Sequence, residues 1–307
     1  MKVFFTGATG VIGRASIPTL LAAGHDVRAV VRRQVDHEWL NDLGARPVAV
    51  DLFDPAAIVA ATAGVDAIVH MATAIPPQAK MTKRISWEIN DRLRSQATAH
   101  LADAALRNSV ATFVQQSVSF VYADGGDNWL DESAPIDTVW DVLDSALDAE
   151  RLVTRFAEEG GRGVVLRFST LYGPGRTSSE YVSTVAARKL PIVGRGDNYV
   201  SHIHVADAAS AIGTALTAPG GVYNVTDDTP VTKRQELEAL ASVVGAKAPR
   251  RIPRWLANTV VGPAATMLTV SHRVANRHLK NATGWAPEFP CVLDGWADVV
   301  ADSSVLG

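Results

Sequence analysis

The stretch Thr6-Gly7-Ala8-Thr9-Gly10-Val11-Ile12-Gly13 lies between an apolar run, Val3 to Phe5, and a segment with apolar residues at helical spacing. Its glycines match a turn that binds a dinucleotide: the first permits a tight turn, the second lets the backbone approach a pyrophosphate, and the third lets helix and strand pack closely. Unpaired N–H groups at the start of the following helix favour bound phosphates. The preceding strand and the following helix are the context that this motif requires. The sequence therefore predicts a dinucleotide site at residues 6–13.

Length and composition exclude several classes of protein. The chain has 307 residues, of which 47% are hydrophobic and 20% charged, enough for a substantial core in one large domain or two small ones. A formal net charge of −3 argues against nucleic-acid binding. The single cysteine, Cys291, cannot form an internal disulfide, so we expect a reducing, cytoplasmic location. We expect neither a signal peptide before the strand at Lys2 nor a membrane span, because the most apolar late stretch, Trp255 to Val270, is short and interrupted.

The first half of the chain alternates apolar strands with helical segments, which predicts a parallel, doubly wound α/β sheet of the Rossmann type. The further predicted strands are Val27–Val31, Pro47–Val50, Ala67–His70, Val110–Val114 and Val164–Phe168. A helix is predicted at Asn90–Leu106. We assign residues 1–174 to a dinucleotide-binding domain, to which 200–225 contribute a strand and a helix. Residues 175–199 and 226–307 would form a smaller substrate-binding lobe at the carboxyl edge of the sheet.

Further motifs carry a resemblance to a known family. They are, in order, Val50-Asp51-Leu52, Val69-His70-Met71-Ala72, Asn90, Ser117-Val118-Ser119-Phe120-Val121-Tyr122, Leu166-Arg167-Phe168, Tyr172-Gly173-Pro174, Ile203-His204-Val205-Ala206-Asp207, Tyr223-Asn224-Val225 and Gly284-Trp285-Ala286-Pro287. In order and spacing they resemble, nearly end to end, the extended short-chain dehydrogenases/reductases, also called the NAD-dependent epimerase/dehydratase family. The resemblance implies a nicotinamide cofactor in the amino-terminal domain and a small-molecule substrate in the carboxy-terminal lobe. The residues expected at the cofactor are Gly7, Ala8, Thr9, Gly10, Val11, Ile12, Gly13, Arg32, Arg33, Asp51, Leu52, Met71, Ala72, Thr73, Ser117, Phe168 and Leu171.

The end of the second strand bears on which nicotinamide cofactor is bound. A carboxylate there would hydrogen-bond the ribose hydroxyls of NAD and repel a 2′-phosphate. The predicted strand ends instead in Arg32 and Arg33, and guanidinium groups suit phosphate because of their forked donors and permanent charge. This pattern favours NADP over NAD. The alternative is that both arginines are solvated surface charges.

The catalytic positions depart from the family pattern. The resemblance implies a Ser or Thr four residues before the tyrosine matching Tyr122, and a downstream Tyr-x-x-x-Lys helix, which together transfer the substrate proton and hold the cofactor ribose. In this chain Val118 occupies the first position, and the helix aligns so that Val142 and Ala146 occupy the Tyr and Lys positions. No Tyr-x-x-x-Lys sequence occurs between residues 124 and 162. The spacing of Val142 and Ala146 places them on one helical face.

Few polar groups are available to replace the missing ones. Ser117 and Ser119 flank the Val118 position, but the alternation of a strand would turn them away from it unless a bulge intervenes. Tyr122 either packs its ring in the interior or takes part in catalysis. Our catalytic candidates are therefore Ser117, Ser119 and Tyr122. The residues expected to contact substrate are Val118, Trp140, Val142, Arg176, Tyr181 and Arg195.

We interpret the chain as an NADP-dependent oxidoreductase that acts on a small, hydrophobic organic substrate without the usual acid–base pair. General acid–base catalysis typically contributes a factor of about 10²–10⁴, so we expect chemistry that needs no strong acid, such as reduction of an activated double bond. Two alternatives remain open: a redox-neutral isomerase, cyclase or dehydratase, and a non-catalytic NADP(H) sensor. We expect no metal, since His202 and His204 lack a third ligand at useful spacing. We also expect no nucleic-acid or membrane partner, and a possible homodimer through the helices at 90–106 and 142–156.

Overall fold

Seven parallel strands form the central sheet in the computed structural model, which describes residues 1–77, 80–138, 140–261 and 268–301. With the short strands outside this sheet, the strands are β1 Lys2–Thr6, β2 Asp26–Val30, β3 Arg46–Val48, β4 Ala67–His70, β5 Thr112–Val118, β6 Trp129–Leu130, β7 Arg162–Phe168, β8 Thr170–Tyr172, β9 Ile192–Val193, β10 Tyr199–Val200, β11 His202–His204, β12 Gly221–Val225, β13 Val231–Thr232, β14 Arg251–Ile252 and β15 Arg273–Val274. The helices are α1 Val11–Ala22, α2 Gln34–Leu43, α3 Pro55–Ala61, α4 Glu88–Arg92, α5 Thr98–Arg107, α6 Asp144–Glu158, α7 Arg176–Ala186, α8 Val205–Ala215, α9 Lys233–Val243, α10 Arg254–Val261, α11 Arg277–Thr283 and α12 Val292–Ala301. A π-helical turn, Leu93–Ala97, separates α4 from α5.

The central sheet has the order β3-β2-β1-β4-β5-β7-β12, and every neighbouring pair in it is parallel. Parallel neighbours require crossover connections, and helices supply them here. This architecture confirms the predicted doubly wound α/β fold of the Rossmann type. The carboxyl ends of β1, β4, β5 and β7 therefore meet at one edge, where such sheets bind their ligands.

Both faces of the sheet are covered by apolar helix surfaces. Phe5 points to the layer that contains Leu20 of α1 and Ile212 of α8. Its neighbour Phe4 points to the other layer, with Leu101 of α5 and Phe156 of α6. A strand buried on both faces reads as a continuous apolar run, which is why β1 is recognisable in the sequence.

The position of β5 differs from the prediction. The sequence pattern predicts a strand at residues 110–114, whereas β5 runs from Thr112 to Val118. Its second half contains Gln115, Gln116 and Ser117, whose polarity hides the strand in the sequence. These side chains are buried and hydrogen-bonded within the protein, so their burial is tolerated.

The carboxy-terminal part of the chain has an apolar core of its own. Val182 of α7, Leu237 of α9, and Trp296 and Val299 of α12 pack together in it. Residues 262–267 and 302–307 of the proposed lobe lie outside the described residues, and so does the middle of the apolar stretch at 255–270. No helix in the described part of the chain is both long and apolar enough to cross a membrane.

Candidate active site

The loop between β1 and α1 is shaped by glycines that cannot carry side chains. Gly7 has a φ of +78°, and a Cβ there would lie 2.6 Å from the carbonyl carbon of Met71. A Cβ on Gly13 would lie 2.6 Å from the backbone of Ala8 and closer still to the carbonyl oxygen of Gly7. Helix α1 begins at Val11 without a side-chain cap, so its first N–H groups are open to a phosphate. The loop therefore fits the pyrophosphate of a dinucleotide.

The end of β2 carries more positive than negative charge. Arg33 Nε lies 2.8 Å from Asp36 Oδ2, and Arg14 Nη2 lies 3.4 Å from Asp36 Oδ1. The hydrogen bond from Arg33 lowers the pKa of the buried Asp36, which stays ionised. Arg32 has no ion-pair partner among the described residues. Sequence reasoning missed Arg14, although it follows the last glycine of the loop directly.

A hydrogen-bonded histidine closes the end of β4. Thr6 Oγ1 lies 2.5 Å from His70 Nδ1, and His70 Nε2 lies 3.2 Å from the carbonyl oxygen of Leu93. Burial lowers the pKa of His70 to about 4. The ring is therefore neutral at physiological pH, with Nε2–H donating to Leu93 and Nδ1 accepting from Thr6. These bonds tie β1, β4 and the π turn together directly beside Met71 and Ala72, which contact the glycine loop.

The other residues expected at the cofactor are distributed along the same edge. Asp51 is exposed and accepts the backbone N–H of Phe53 at 2.9 Å, while Leu52 is buried. Thr73 is exposed in the segment that follows β4. Phe168 ends β7 in the core, and Leu171 is half-buried in β8. Their contact with a cofactor stays a prediction.

The positions that the alignment assigns to polar catalytic groups come together in one apolar cluster. This apolar cluster consists of Trp87, Val118, Val121, Val142, Leu143 and Ala146, with Met81, Phe120, Trp140 and Leu147 packed against it. The ring of Trp140 meets that of Trp87 edge to face at 5.3 Å between centroids. We expected Val142 to contact substrate, but Val142 and its neighbour on the same helical face, Ala146, are both fully buried. They pack inside the protein instead of forming an open wall.

A polar network adjoins this apolar cluster, since Ser117 precedes Val118 in β5. The polar network consists of Ser117, Tyr122, Glu150, Arg167 and Asn224. Glu150 accepts a hydrogen bond from Ser117 Oγ at 2.5 Å and two from the Arg167 guanidinium at 2.9 and 2.6 Å. Arg167 Nη1 also donates to the Tyr122 hydroxyl at 2.9 Å, and that hydroxyl donates to Asn224 Oδ1 at 2.8 Å.

The polar network determines the environment of two catalytic candidates. Tyr122 is completely buried, its ring packs with Leu130 and Val274, and its hydroxyl has partners for both its proton and its oxygen. Burial raises the pKa of Tyr122. The hydroxyl of Ser117 is likewise enclosed. Both placements fit a structural role better than the catalytic role that we expected.

The third candidate, Ser119, faces a cavity of about 170 Å³. Strand β5 ends at Val118, and Ser119 begins a 3-10 turn, so strand alternation no longer sets its direction. Its Oγ lies 3.1 Å from Ser169 Oγ. The residues that line the cavity are Ser119, Phe120, Leu143, Thr170, Asn198, Tyr199, Val200, Ser201, Lys233, Leu268, Val270 and His272.

A lysine and a histidine of this cavity were not found from the sequence. Lys233 Nζ donates to the Tyr181 hydroxyl at 2.8 Å and to Glu236 Oε2 at 2.7 Å. His272 Nε2 lies 2.9 Å from the carbonyl oxygen of Tyr122, and burial lowers the pKa of His272. No sequence spacing links these residues to Ser119, because only the folding of the carboxy-terminal part onto the sheet edge brings them there.

The residues expected to contact substrate divide into an interior and a surface group. Val118, Val142 and Trp140 belong to the apolar cluster, and the Tyr181 hydroxyl donates to Glu236 Oε1 at 2.8 Å. The side chains of Arg176 and Arg195 are 89% and 86% exposed and pair with nearby carboxylates, outside the cavity lining. Among the described residues, no group of three or more His, Cys, Asp or Glu side chains is arranged to hold a metal ion.

Comparison with known proteins identifies the family. The chain matches the NAD dependent epimerase/dehydratase family over residues 3–226. A 3-diazoavenalumate denitrifying reductase from Streptomyces sp is 36% identical over 314 residues, which cover 96% of this chain and 99% of that protein. A 4-hydroxy-2-methyl-3-oxo-4-farnesyl-3,4-dihydroquinoline-1-oxide ketoreductase from Stigmatella aurantiaca is 29% identical, over 81% of this chain and 75% of that protein. The dTDP-glucose 4,6-dehydratase of Streptomyces venezuelae, solved with NAD bound, superposes with a TM-score of 0.80 at 20% identity, over 98% of this chain and 96% of that one.

The chain therefore belongs to the NAD-dependent epimerase/dehydratase family, as the motifs predicted. It is an NAD(P)-dependent enzyme of the oxidoreductase or epimerase type. The glycine loop and the open start of α1 are the parts of this chain that would hold the cofactor pyrophosphate.

Proposed function

We propose that this protein is an NADP-dependent reductase that replaces the diazo group of a small aromatic carboxylate by hydrogen. The apolar cluster supports the proposal, because it contains Val118, Val142 and Ala146, which our alignment places where the resemblance implies Ser or Thr, Tyr and Lys. A reaction at this edge must proceed without an acid from those positions. The Streptomyces denitrifying reductase, similar over nearly the whole chain, is named for a reaction of this kind.

Diazo removal by hydride requires no proton from the protein. The nicotinamide cofactor, when bound, supplies a hydride. An arenediazonium carbon that gains this hydride forms a C–H bond and loses its C–N bond, and N₂ leaves with the electron pair of that bond. Charge and atoms balance without a proton. A reduced carbonyl instead becomes an alkoxide that must be protonated, and a positioned acid typically contributes a factor of about 10²–10⁴ there.

The cavity offers an apolar side and a polar side to such a substrate. On the apolar side, Leu143 belongs to the apolar cluster and Phe120 packs against it. Both side chains suit an aromatic ring and would exclude water from a reactive carbon. Lys233 has three N–H donors, of which two bind Tyr181 and Glu236. We assign the third donor to a substrate carboxylate and the Ser119 hydroxyl to a polar atom of the substrate.

The proposed preference for NADP follows from the charge at the end of β2. Arg14, Arg32 and Arg33 bring three positive charges, and Asp36 neutralises only one of them. By orienting Arg14 and Arg33, Asp36 also reduces the conformational freedom that these side chains would lose when they bind a 2′-phosphate.

Isotope transfer tests the reaction. An arenediazonium carboxylate and NADPH deuterated at the transferable C4 position are incubated with the enzyme, and the product, N₂ and NADP⁺ are measured. We expect one N₂ and one NADP⁺ per product, with deuterium at the carbon that carried nitrogen. Two control substrates are the same carboxylic acid without the diazo group and an analogue that carries a ketone in place of the diazo group. Neither should consume NADPH at the enzyme concentration used for the diazo substrate.

Other outcomes point to the alternatives. Turnover with unlabelled product and unconsumed NADPH would contradict reduction and support redox-neutral chemistry. NADPH binding without turnover of the diazo compound, of enones or of ketones would favour the sensor.

Calorimetry tests the cofactor preference separately. NADPH should bind more tightly than NADH, and the triple replacement of Arg14, Arg32 and Arg33 by alanine should remove most of that difference, about 1.5–3 kcal/mol per charge-assisted contact. Arg46→Ala is the matched control, because Arg46 is an exposed arginine on β3 that pairs with Asp26. Equal affinity of the unaltered protein for both cofactors would contradict the assignment.

A further inference from the structure

A buried arginine lies on the helix beside the apolar cluster. Arg94 belongs to the π turn Leu93–Ala97, is only 2% exposed, and its Nε and Nη1 have no hydrogen-bond partner within the described chain. Burying unpaired donors is unfavourable unless something binds them. Such π turns are rare and occur frequently at functional sites. Both features point to a ligand for Arg94.

Neighbouring charges locate the Arg94 guanidinium between α4 and α6. Asp91, one turn earlier, and Glu150 on α6 both act on its charge. Glu150 lies four residues after Ala146, so the two residues share one face of α6. Side chains of a helix lean toward its N-terminus, which for α4 lies at the carboxyl edge of the sheet. There Asn90 Oδ1 accepts the backbone N–H of Ala74 at 3.1 Å.

We propose that Arg94 supplies, from α4 and its π turn, the cation that Ala146 lacks, and that it binds the hydroxyls of the nicotinamide ribose. This inference rests on the proposed NADP binding. The resemblance implies a lysine at the position of Ala146 that holds this ribose, and an alanine there supplies no cation. Burial lowers the pKa of Arg94 to about 10, so the guanidinium remains charged at neutral pH.

A purely structural role makes a different prediction. If Arg94 only balances the charges of Asp91 and Glu150, its loss should lower stability and affect every ligand of the site alike. If Arg94 binds the nicotinamide ribose, its loss should affect only ligands that contain that ribose. The adenosine half of the cofactor, 2′,5′-ADP, lacks it and so separates the two roles.

The experiment is calorimetric titration of the full chain with NADPH and with 2′,5′-ADP. Arg94→Met keeps an apolar side chain of similar length in the buried space. We expect NADPH to bind about ten- to a hundredfold more weakly and 2′,5′-ADP to bind within about twofold of the unaltered protein. Arg107→Met, an exposed arginine at the end of α5, is the matched control and should change neither affinity.

The double variant Arg94→Met with Ala146→Lys completes the test, because a lysine at 146 should restore most of the lost NADPH affinity. Unchanged NADPH affinity in Arg94→Met, or an equal loss for both ligands, would overturn the proposal. If Arg94→Met does not fold, Arg94→Gln is measured with the same criteria, and if the protein prefers NAD, the ligand pair is NADH and 5′-AMP. Diazo reduction is not part of this assay, so a protein that binds NADPH through Arg94 but does not reduce the diazo substrate would refute only the proposed reaction.

Discussion

The polar network and the apolar cluster meet at the end of β5, where one residue has polar neighbours and the next has apolar neighbours. Ser117 donates to the buried Glu150, whereas Val118 packs among valines, leucine and tryptophan. In the polar network almost every donor and acceptor is used within the protein. In the apolar cluster, none of the member side chains is a strong acid or base.

This difference separates polar groups that maintain the fold from those that remain open to a ligand. Ser117 and Tyr122 look like catalytic candidates in the sequence, yet their hydroxyls are enclosed by Glu150, Arg167 and Asn224. Ser119 has the same chemistry and is also buried, with its hydroxyl beside that of Ser169, but it lines the cavity. A hydroxyl near a sheet edge is therefore the better catalytic candidate when it lines a cavity.

Breaking the polar network should have the largest effect on stability. Glu150→Ala leaves the Arg167 guanidinium buried without its carboxylate, and we expect the free energy of unfolding to fall by about 3–5 kcal/mol. Chemical denaturation measures this change. Glu158→Ala, on the exposed end of the same helix, should change stability by no more than about 0.5 kcal/mol. A loss below about 1 kcal/mol for Glu150→Ala would mean that the polar network contributes little to the fold.

Because His70 is enclosed, we expect the free energy of unfolding of the protein to depend on pH. Its folded pKa of about 4 lies below the unfolded value of 6.5, so the unfolded chain takes up the proton first as pH falls. The stabilisation is complete above pH 6.5 and is lost between pH 6.5 and about 4. The unfolding free energy of the unaltered protein, relative to that of His70→Asn, should fall by about 3 kcal/mol across this range.

The comparison with His70→Asn is needed because Asp227 contributes with the opposite sign. Burial raises the pKa of Asp227 to about 7, so its contribution is lost as pH rises from 3.8 toward 7. The difference between the two proteins cancels this contribution. A difference that stays constant with pH would show that His70 is not sealed from solvent.

Replacing one hydroxyl of the polar network distinguishes structure from catalysis. Tyr122→Phe leaves Asn224 Oδ1 and an Arg167 N–H without their partner, which should cost about 1–3 kcal/mol of stability. We expect kcat to be retained within about twofold, whereas loss of a catalytic acid would lower it by about 10²–10⁴. Steady-state kinetics at a temperature where both proteins are folded decides between the two roles.

The smallest expected effect is that of Ser119 on the cavity side. Ser119→Ala should lower kcat/KM about two- to tenfold, the worth of one neutral hydrogen bond to substrate, and lower stability by about 1 kcal/mol through loss of the bond to Ser169. Ser117→Ala is the matched control, because it also loses a buried hydrogen bond, to Glu150, and should give a less stable protein with unaltered kcat/KM. Equal kinetic effects of both substitutions would remove the distinction between the polar network and the cavity.

Local sequence patterns predicted the structure correctly wherever a single short segment determines it. The glycine loop and β1 depend on backbone sterics and on apolar residues adjacent in sequence, and the sheet follows from the alternation of such strands with helices. The second half of β5 was missed because Gln115, Gln116 and Ser117 are polar. The two glutamine amides donate to the backbone carbonyls of the next residues, and Ser117 donates to the distant Glu150.

Residues whose role depends on distant partners were harder to assign. Arg176 and Arg195 resemble ligands of an anion in the sequence, but both side chains pair with nearby carboxylates at the surface. Lys233 and His272 carry no motif and reach the cavity only through the packing of the lobe. Arg94 stands in an ordinary helical pattern in the sequence, and only the structure shows its π turn, its burial and its unpaired nitrogens.

The sequence by itself determined the family, the parallel sheet and the position of the dinucleotide loop, because these depend on steric limits and hydrophobic periodicity within short segments. Which hydroxyls are enclosed, which line the cavity and which buried arginine lacks hydrogen-bond partners was decided only by the tertiary structure. The physical reason is that the free energy of a polar side chain depends on whether water or another polar group is near it. That environment is created by residues far apart in sequence, such as Ser117, Glu150 and Arg167.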